Sequence, residues 1–387
     1  MGVDPFSQTV EKLSGPTDPK VTIREPKSKQ HREGKGYKPL TAIVVLLLFL
    51  AFPVHALSPA HDRETIQMQR FSRWAHRASH RPQANAYRMT GALFRDLQRH
   101  VAERPGIVRP VLLGHSLQRR PIWGFRVSRP GESTHTKVLV FAGIHALEWI
   151  STETATVFLE QLVTLPPKGV EVIVVPLLNP DGREKVERDL LAGRTVYRRG
   201  NAANVDLNRD FAVNRDARAV WKHVIPRYYS STQSALSQPE SRSLDRLLAA
   251  EKFDVAISLH AFGGFVYTPW AGLWKRPEDW KTHHHLGTVM SQAQGAHGYK
   301  VRQLSRWGFF FRAHGAEIDH IYGQYGTLAF LVELTRSGLN PFRPSTFKSP
   351  FNWYNPKDPK RHTNKGVSAL RALVYTLSMS GGVPRDN

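Results

Sequence analysis

Four short runs, KVLVFA, EVIVVPLL, DVAISLH and LAFLVEL, are near-continuously apolar rather than alternating. A strand with one wet face alternates; a strand apolar on both faces must be covered on both. Segments with helical periodicity lie between and after these runs. They include ALFRDLQRHV, TATVFLEQLVTL, SQPESRSLDRLLAAEK (starting near a Ser cap at 237), RPEDWKTHHHLGTVMSQAQ and GVSALRALVYTLS. Strands alternating with helices predict an α/β domain with a central, mixed but mostly parallel sheet flanked by helices. RPVLLGHS and RRPIWGFRVS predict a hairpin turning around 117–119, and Asn-Pro-Asp-Gly after EVIVVPLL predicts a turn. No linker interrupts 84–387, so a single domain is expected there, preceded by a polar, His/Arg-rich linker over 57–83.

The start of the chain is of another kind. An apolar core at about 40–54 follows a basic stretch and ends at Val54-His55-Ala56. This pattern predicts a signal peptide within 1–56, cleaved after Ala56, and a protein that is exported, periplasmic or secreted. The long lead-in leaves two alternatives: an inner-membrane signal-anchor, or a true start downstream of Met1. The chain has no cysteine, which excludes disulfides, thiolate metal sites and cysteine nucleophiles and fits a bacterial envelope enzyme. Its formal charge is +22, spread along the sequence rather than gathered into basic runs interleaved with aromatics. Nucleic acid is therefore not expected as a partner, whereas electrostatic association with an anionic cell envelope is compatible with this surface. A monomer is expected.

In open α/β sheets, ligands gather beyond the carboxyl ends of strands. The pattern His-x-x-Glu occurs at His61/Glu64, His100/Glu103, His145/Glu148 and His314/Glu317, where chance gives about one such pair in a chain of this composition. Only His145 follows a buried run. His260 ends another, and Glu333 lies near the end of a third. Burying such groups without a task is costly. His145, Glu148 and His260 together form a tetrahedral zinc site with one position open, for a single Zn2+. Glu333, not a ligand, is then the general base. The reading is hydrolysis of an amide or ester. In YRRGNAANVDLNRDF, Asn208 and Arg209 suit a substrate carboxylate, and Arg199 or Arg198 suits a developing oxyanion. His283-His284-His285 looks like a metal tract, but consecutive residues on a helix point apart, so a surface position is expected.

Taken in order, GIHALEWIS, PLLNPDG, RGNAANVDLNRDF, SQPE, AISLH and LAFLVEL resemble the zinc metallocarboxypeptidases of the carboxypeptidase A/B type. The resemblance implies a zinc carboxypeptidase-like catalytic domain over 84–387. It implies zinc on His145, Glu148 and His260, catalysis by Glu333, and Asn208 and Arg209 on the substrate's terminal carboxylate. The carbonyl-polarising arginine is best matched by Arg199, with Arg198 the alternative. Counting back from Glu333, the family's mobile tyrosine falls on Phe311 and its pocket-floor residue on Ile318, with Leu331, Ala313 and Ala271 lining. An apolar pocket favours a hydrophobic or aromatic C-terminal residue; Glu317, one position away, would favour a basic one if the register slips. Two departures stand out: Leu147 where the family often has Arg, and Phe311 without a hydroxyl. The 57–83 lead is too short for a folded propeptide, so none is expected.

The implied substrate is a peptide or a peptidoglycan peptide. Two rival readings remain: an amidase or deacylase of the same fold acting on wall peptides or acyl-amino acids, and a non-catalytic peptide-binding relative.

Overall fold

The strands that carry the candidate residues are neighbours. They belong to an eight-stranded mixed sheet in a computed structural model that describes residues 59–78, 85–216, 232–308, 311–336, 338, 342 and 344–384. The expected signal segment lies outside the described residues. In chain order the strands are β1 (Val108–His115), β2 (Pro121–Val127), β3 (Thr136–Ala142), β4 (Val170–Val175), β5 (Val255–Ala261), β6 (Phe265–Thr268), β7 (Lys300–Gln303) and β8 (Leu328–Leu334). Across the sheet the order is β1-β2-β4-β3-β5-β8-β6-β7. The four central strands are parallel, β4 with β3, β3 with β5, and β5 with β8. They correspond to the four near-continuous apolar runs, and β4 and β5 are buried at every position. The expected hairpin is β1–β2, antiparallel and joined to the sheet through β4.

Helices cover both faces: α1 (Pro59–Arg77), α2 (Thr90–Glu103), α3 (Trp149–Thr164), α4 (Pro180–Leu191), α5 (Pro239–Glu251), α6 (Trp280–Gln292), α7 (Glu317–Tyr325), α8 (Pro350–Tyr354) and α9 (Pro359–Ser380). α9 packs on α3 and α6, and α7 packs with α5, so the two groups form separate layers.

Three local expectations need correction. The stretch 57–83, read as a linker, contains α1. Phe71 and Ala75 of α1 are wholly buried, and the Phe71 ring meets Trp123 and Phe125 edge-on at 5.3 and 5.1 Å. Gln67 of α1 accepts a hydrogen bond from Leu112 N on the outer strand β1, so the helix also satisfies a sheet edge. The spacing of Phe71, Trp74 and Ala75 was a helical signal that the surrounding charge obscured. Second, Asn-Pro-Asp-Gly does not close a simple turn. Asn179 caps α4, its side chain accepting from Gly182 N with Pro180 in the first turn. Third, α5 starts at Pro239 after Gln238, not at a Ser237 cap; Ser237 instead bonds Asp210.

Candidate metal centre

Beyond β3 the chain turns away at Gly143, whose φ of 66° is one glycine adopts freely; a Cβ there would stand 2.8 Å from Leu177 Cδ1. The turn delivers His145 and Glu148 just ahead of α3. Two asparagines fix this loop. Asn179 Nδ2 donates to Ile144 O at 3.1 Å and to Gly200 O at 3.2 Å, tying the His145 loop to the Arg199 segment. Asn355 accepts from Ile150 N at 3.0 Å and donates to Leu147 O at 2.6 Å, holding the entrance to α3.

The third group arrives by register. β5 lies beside β3, so His260, the penultimate residue of β5, comes next to the Gly143 turn. His145 Nδ1 and His260 Nδ1 are 3.1 Å apart, and Glu148 reaches both, Oε1 to His145 at 2.9 Å and Oε2 to His260 at 3.1 Å. The three residues offer ligand atoms within 4.8 Å of one another, and all are buried. Each ring's other nitrogen faces a carboxylate: His145 Nε2 meets Asp206 Oδ1 at 3.0 Å, and His260 Nε2 meets Glu317 Oε1 at 2.8 Å. Those carboxylates favour the N–H on the outer nitrogens, so that both Nδ1 lone pairs are available to a shared cation. Such a set of inward lone pairs calls for a cation.

The electrostatics agree. Burial pushes the Glu148 carboxyl upward, but the imidazoles of His145 and His260 outweigh it and hold it well below the usual carboxylate range. Burial opposes charge on His260, yet Glu148 and Glu317 raise it to about 10. Without an ion the site thus retains a proton, which a metal would displace.

Glu333 pairs with His260 across β5 and β8. Burial raises its carboxyl to about 8, and a nearby cation would draw it down. Its Oε2 has no hydrogen-bond partner. Phe311 lines a cavity of about 390 Å³ with Glu333, Phe262, Tyr267 and Trp307.

Arg199 borders the cluster, Nε donating to Asp206 Oδ2 at 2.8 Å and Nη1 lying 3.4 Å from Glu148 Oε1. Arg198 does not: its guanidinium turns to Asp189, so the structure leaves it outside the centre. Asn208 and Arg209 sit in a 3₁₀ turn capped by Asp206 and are buried. Asn208 Oδ1 accepts from Glu317 N at 3.0 Å. Ile318 is fully buried at the start of α7, near Ala271 through the Asp319 bond to Ala271 N. His314 faces Arg215 O and takes no part. His283 is buried, contrary to the surface expectation, because its ring packs on Tyr322 and Phe330 and bonds Asp279 O; His284 and His285 are exposed.

Sequence reasoning missed Asp206 and misread Glu317. Asp206 lies two residues before Asn208, within the quoted DLNRD, where a capping acid was legible. Glu317 was weighed as a pocket residue, but its Oε1 is committed to His260.

Residues 94–353 match Peptidase_M14, zinc carboxypeptidase. The chain belongs to this family. Zinc carboxypeptidase A 1 of Drosophila melanogaster is 26% identical over 262 residues, covering 63% of this chain and 60% of that protein. Carboxypeptidase A2 of Rattus norvegicus is 24% identical over 273 residues, 66% of this chain and 64% of the relative. The match thus spans under two thirds of these relatives. Among solved structures, thrombin activatable fibrinolysis inhibitor superposes with a TM-score of 0.63 at 18% identity, covering 80% of each chain. Carboxypeptidase A from Helicoverpa armigera gives 0.62 at 20% identity, covering 82% of this chain and 80% of that one. These similarities establish the zinc carboxypeptidase fold. The buried His145, Glu148 and His260 set, with its outer carboxylates, fits the single zinc ion of the family.

Proposed function

We propose that this chain is a zinc-dependent carboxypeptidase that removes the C-terminal residue of peptides. The observation that carries the reading is the meeting of His145, Glu148 and His260 at one point beside Glu333, whose Oε2 is unpartnered. A zinc ion there supplies Lewis acidity and lowers the pKa of water. Glu333, ionised beside a cation, accepts the proton of the attacking water at Oε2 and passes it to the departing amine. Arg199, held by Asp206, faces the carbonyl oxygen as negative charge develops. Asn208 and Arg209 receive the terminal carboxylate.

Ile318, Ala313, Ala271 and Leu331 are all buried apolar residues, which supports a hydrophobic or aromatic C-terminal residue over a basic one. Export through the 1–56 segment remains part of this proposal; N-terminal sequencing of the exported protein tests it. The decisive experiment incubates zinc-loaded protein with peptides varied at the C-terminus, with and without chelator. Release of single C-terminal residues is expected. Cleavage of wall fragments or acyl-amino acids without such release would favour the amidase reading, and binding without turnover the non-catalytic one.

A further inference from the structure

A second cavity, of about 660 Å³, is walled on one side by Gly263, Gly264 and Thr335, which adjoin the backbone of Glu333. Its inner wall is the same backbone that positions the base: Gly264 N donates to Glu333 O at 2.8 Å, Gly263 N to Thr335 O at 3.1 Å, and a Cβ on Gly263 would lie 3.2 Å from Glu333 Cβ. The charged part of the lining is basic, set among neutral residues such as Phe265, Tyr299, Asn352 and Pro356. It includes Lys300 on β7, Arg336 just past β8, and Arg361, His362 and Lys365 on the first turns of α9, together with His297. Among the described residues, no Asp or Glu lines the cavity. Among them, too, none of Lys300, Arg336, Arg361 and Lys365 makes an ion pair; Lys365 Nζ reaches only the carbonyl of His297 and the Tyr299 ring.

The fold bears a cost for this arrangement. Arg361 and His362 lie in the first turn of α9, where acids are favoured and where Asp358 caps the helix. Burial and the guanidinium groups of Arg336 and Arg361 push Lys365 below its usual range. Separate elements thus bring cations that have no ion-pair partner among the described residues to one concavity, which focuses positive potential at its mouth.

Position indicates what would be bound. Asn208 and Arg209 lie by the start of α7, in the layer that α7 forms with α5. The basic cavity borders α9, in the layer it forms with α3 and α6. Glu333 lies between them. If the released residue occupies the α7 side, the chain preceding the scissile bond leads towards the cavity. The lining is poor for stacked bases, since its Tyr299 face is taken by Lys365 at 4.7 Å.

We propose that this cleft is a subsite for acidic side chains upstream of the scissile bond, so that the enzyme selects peptides rich in Asp and Glu before the residue it releases. This rests on the carboxypeptidase reading for its direction, and the test separates the two. Zinc-loaded protein is given peptides that share one apolar C-terminus and differ in an upstream triglutamate, triglutamine or trilysine segment. The expected kcat/KM for the triglutamate peptide exceeds that for the triglutamine peptide by about tenfold at low salt, with the trilysine peptide slowest, and the advantage shrinks at high salt. The double variant R336Q/R361Q is expected to lose the advantage while cleaving the triglutamine peptide like the parent. Equal rates on the triglutamate and triglutamine peptides in the parent overturn the subsite and leave the carboxypeptidase intact.

Calorimetry with a C-terminally amidated triglutamate peptide covers an inactive preparation. Binding to the parent that is lost in R336Q/R361Q keeps the acidic cleft even if no peptide is cleaved, a result that removes the carboxypeptidase reading alone. Equal binding by both proteins, or tighter binding of a single-stranded oligonucleotide than of the peptide, overturns the subsite.

Discussion

Glu317 Oε1 lies 2.8 Å from His260 Nε2, on the side of the imidazole opposite His145 and Glu148. Asp206 holds His145 in the same manner at 3.0 Å. Both histidine candidates are therefore oriented by a buried carboxylate. Glu317→Gln keeps the size and an acceptor but removes the charge. Zinc affinity is expected to fall by about tenfold or more, read by competition with a chromogenic chelator. An unchanged dissociation constant would mean that Glu317 only fills space.

Glu333→Gln separates binding from turnover. Glu333 is not among the grouped ligands, so zinc affinity should hold while kcat drops by about a thousandfold. A variant with full kcat rejects the assigned base.

Arg199 and Arg198 are adjacent, yet only Arg199 reaches Glu148 and Asp206. Arg199→Gln is expected to lower kcat on the order of a hundredfold. Arg198→Gln should leave kcat within about twofold, as substitutions outside a transition-state contact do. Steady-state kinetics on one peptide with both variants checks the assignment; the reverse ranking would exchange the two roles.

Asp189 gives a pH signature away from the metal. Burial raises its carboxyl, but hydrogen bonds from Arg198 and Arg194 outweigh this and leave it below the usual 3.8. A depressed acid stabilises the fold above its unfolded pKa, and the contribution disappears as pH falls through the folded value. Asp189→Asn should therefore cost stability at neutral pH, by about 1 kcal/mol or less because Arg194 is exposed and Arg198 partly so. That cost should shrink below pH 3.8. Urea unfolding of both proteins above and below that pH measures it, and a constant difference would exclude the ion pairs as the cause.

The central sheet was legible because burial on both faces leaves few polar residues inside β4 or β5 without a task. The same logic found His260 and Glu333, which break apolar runs at strand ends. α1 was not legible in this way, since its buried stripe of Phe71 and Ala75 is diluted by arginine and histidine. Asn179 and Asn355 carry no periodic signal; each acts through an amide that reaches backbone distant in sequence, as Asn355 does to Ile150. Glu317 was visible only as an alternative pocket residue, because counting along a chain gives position and not the direction of a side chain.

The bond between Asn355 and the Leu147–Ile150 backbone has a bearing on biosynthesis. A ribosome releases His145 and Glu148 long before it reaches residue 355, so the nascent loop lacks the clasp that sets its shape. The candidate metal loop thus takes its held shape only once residue 355 has been made, and a chain without that asparagine would leave the loop unfastened.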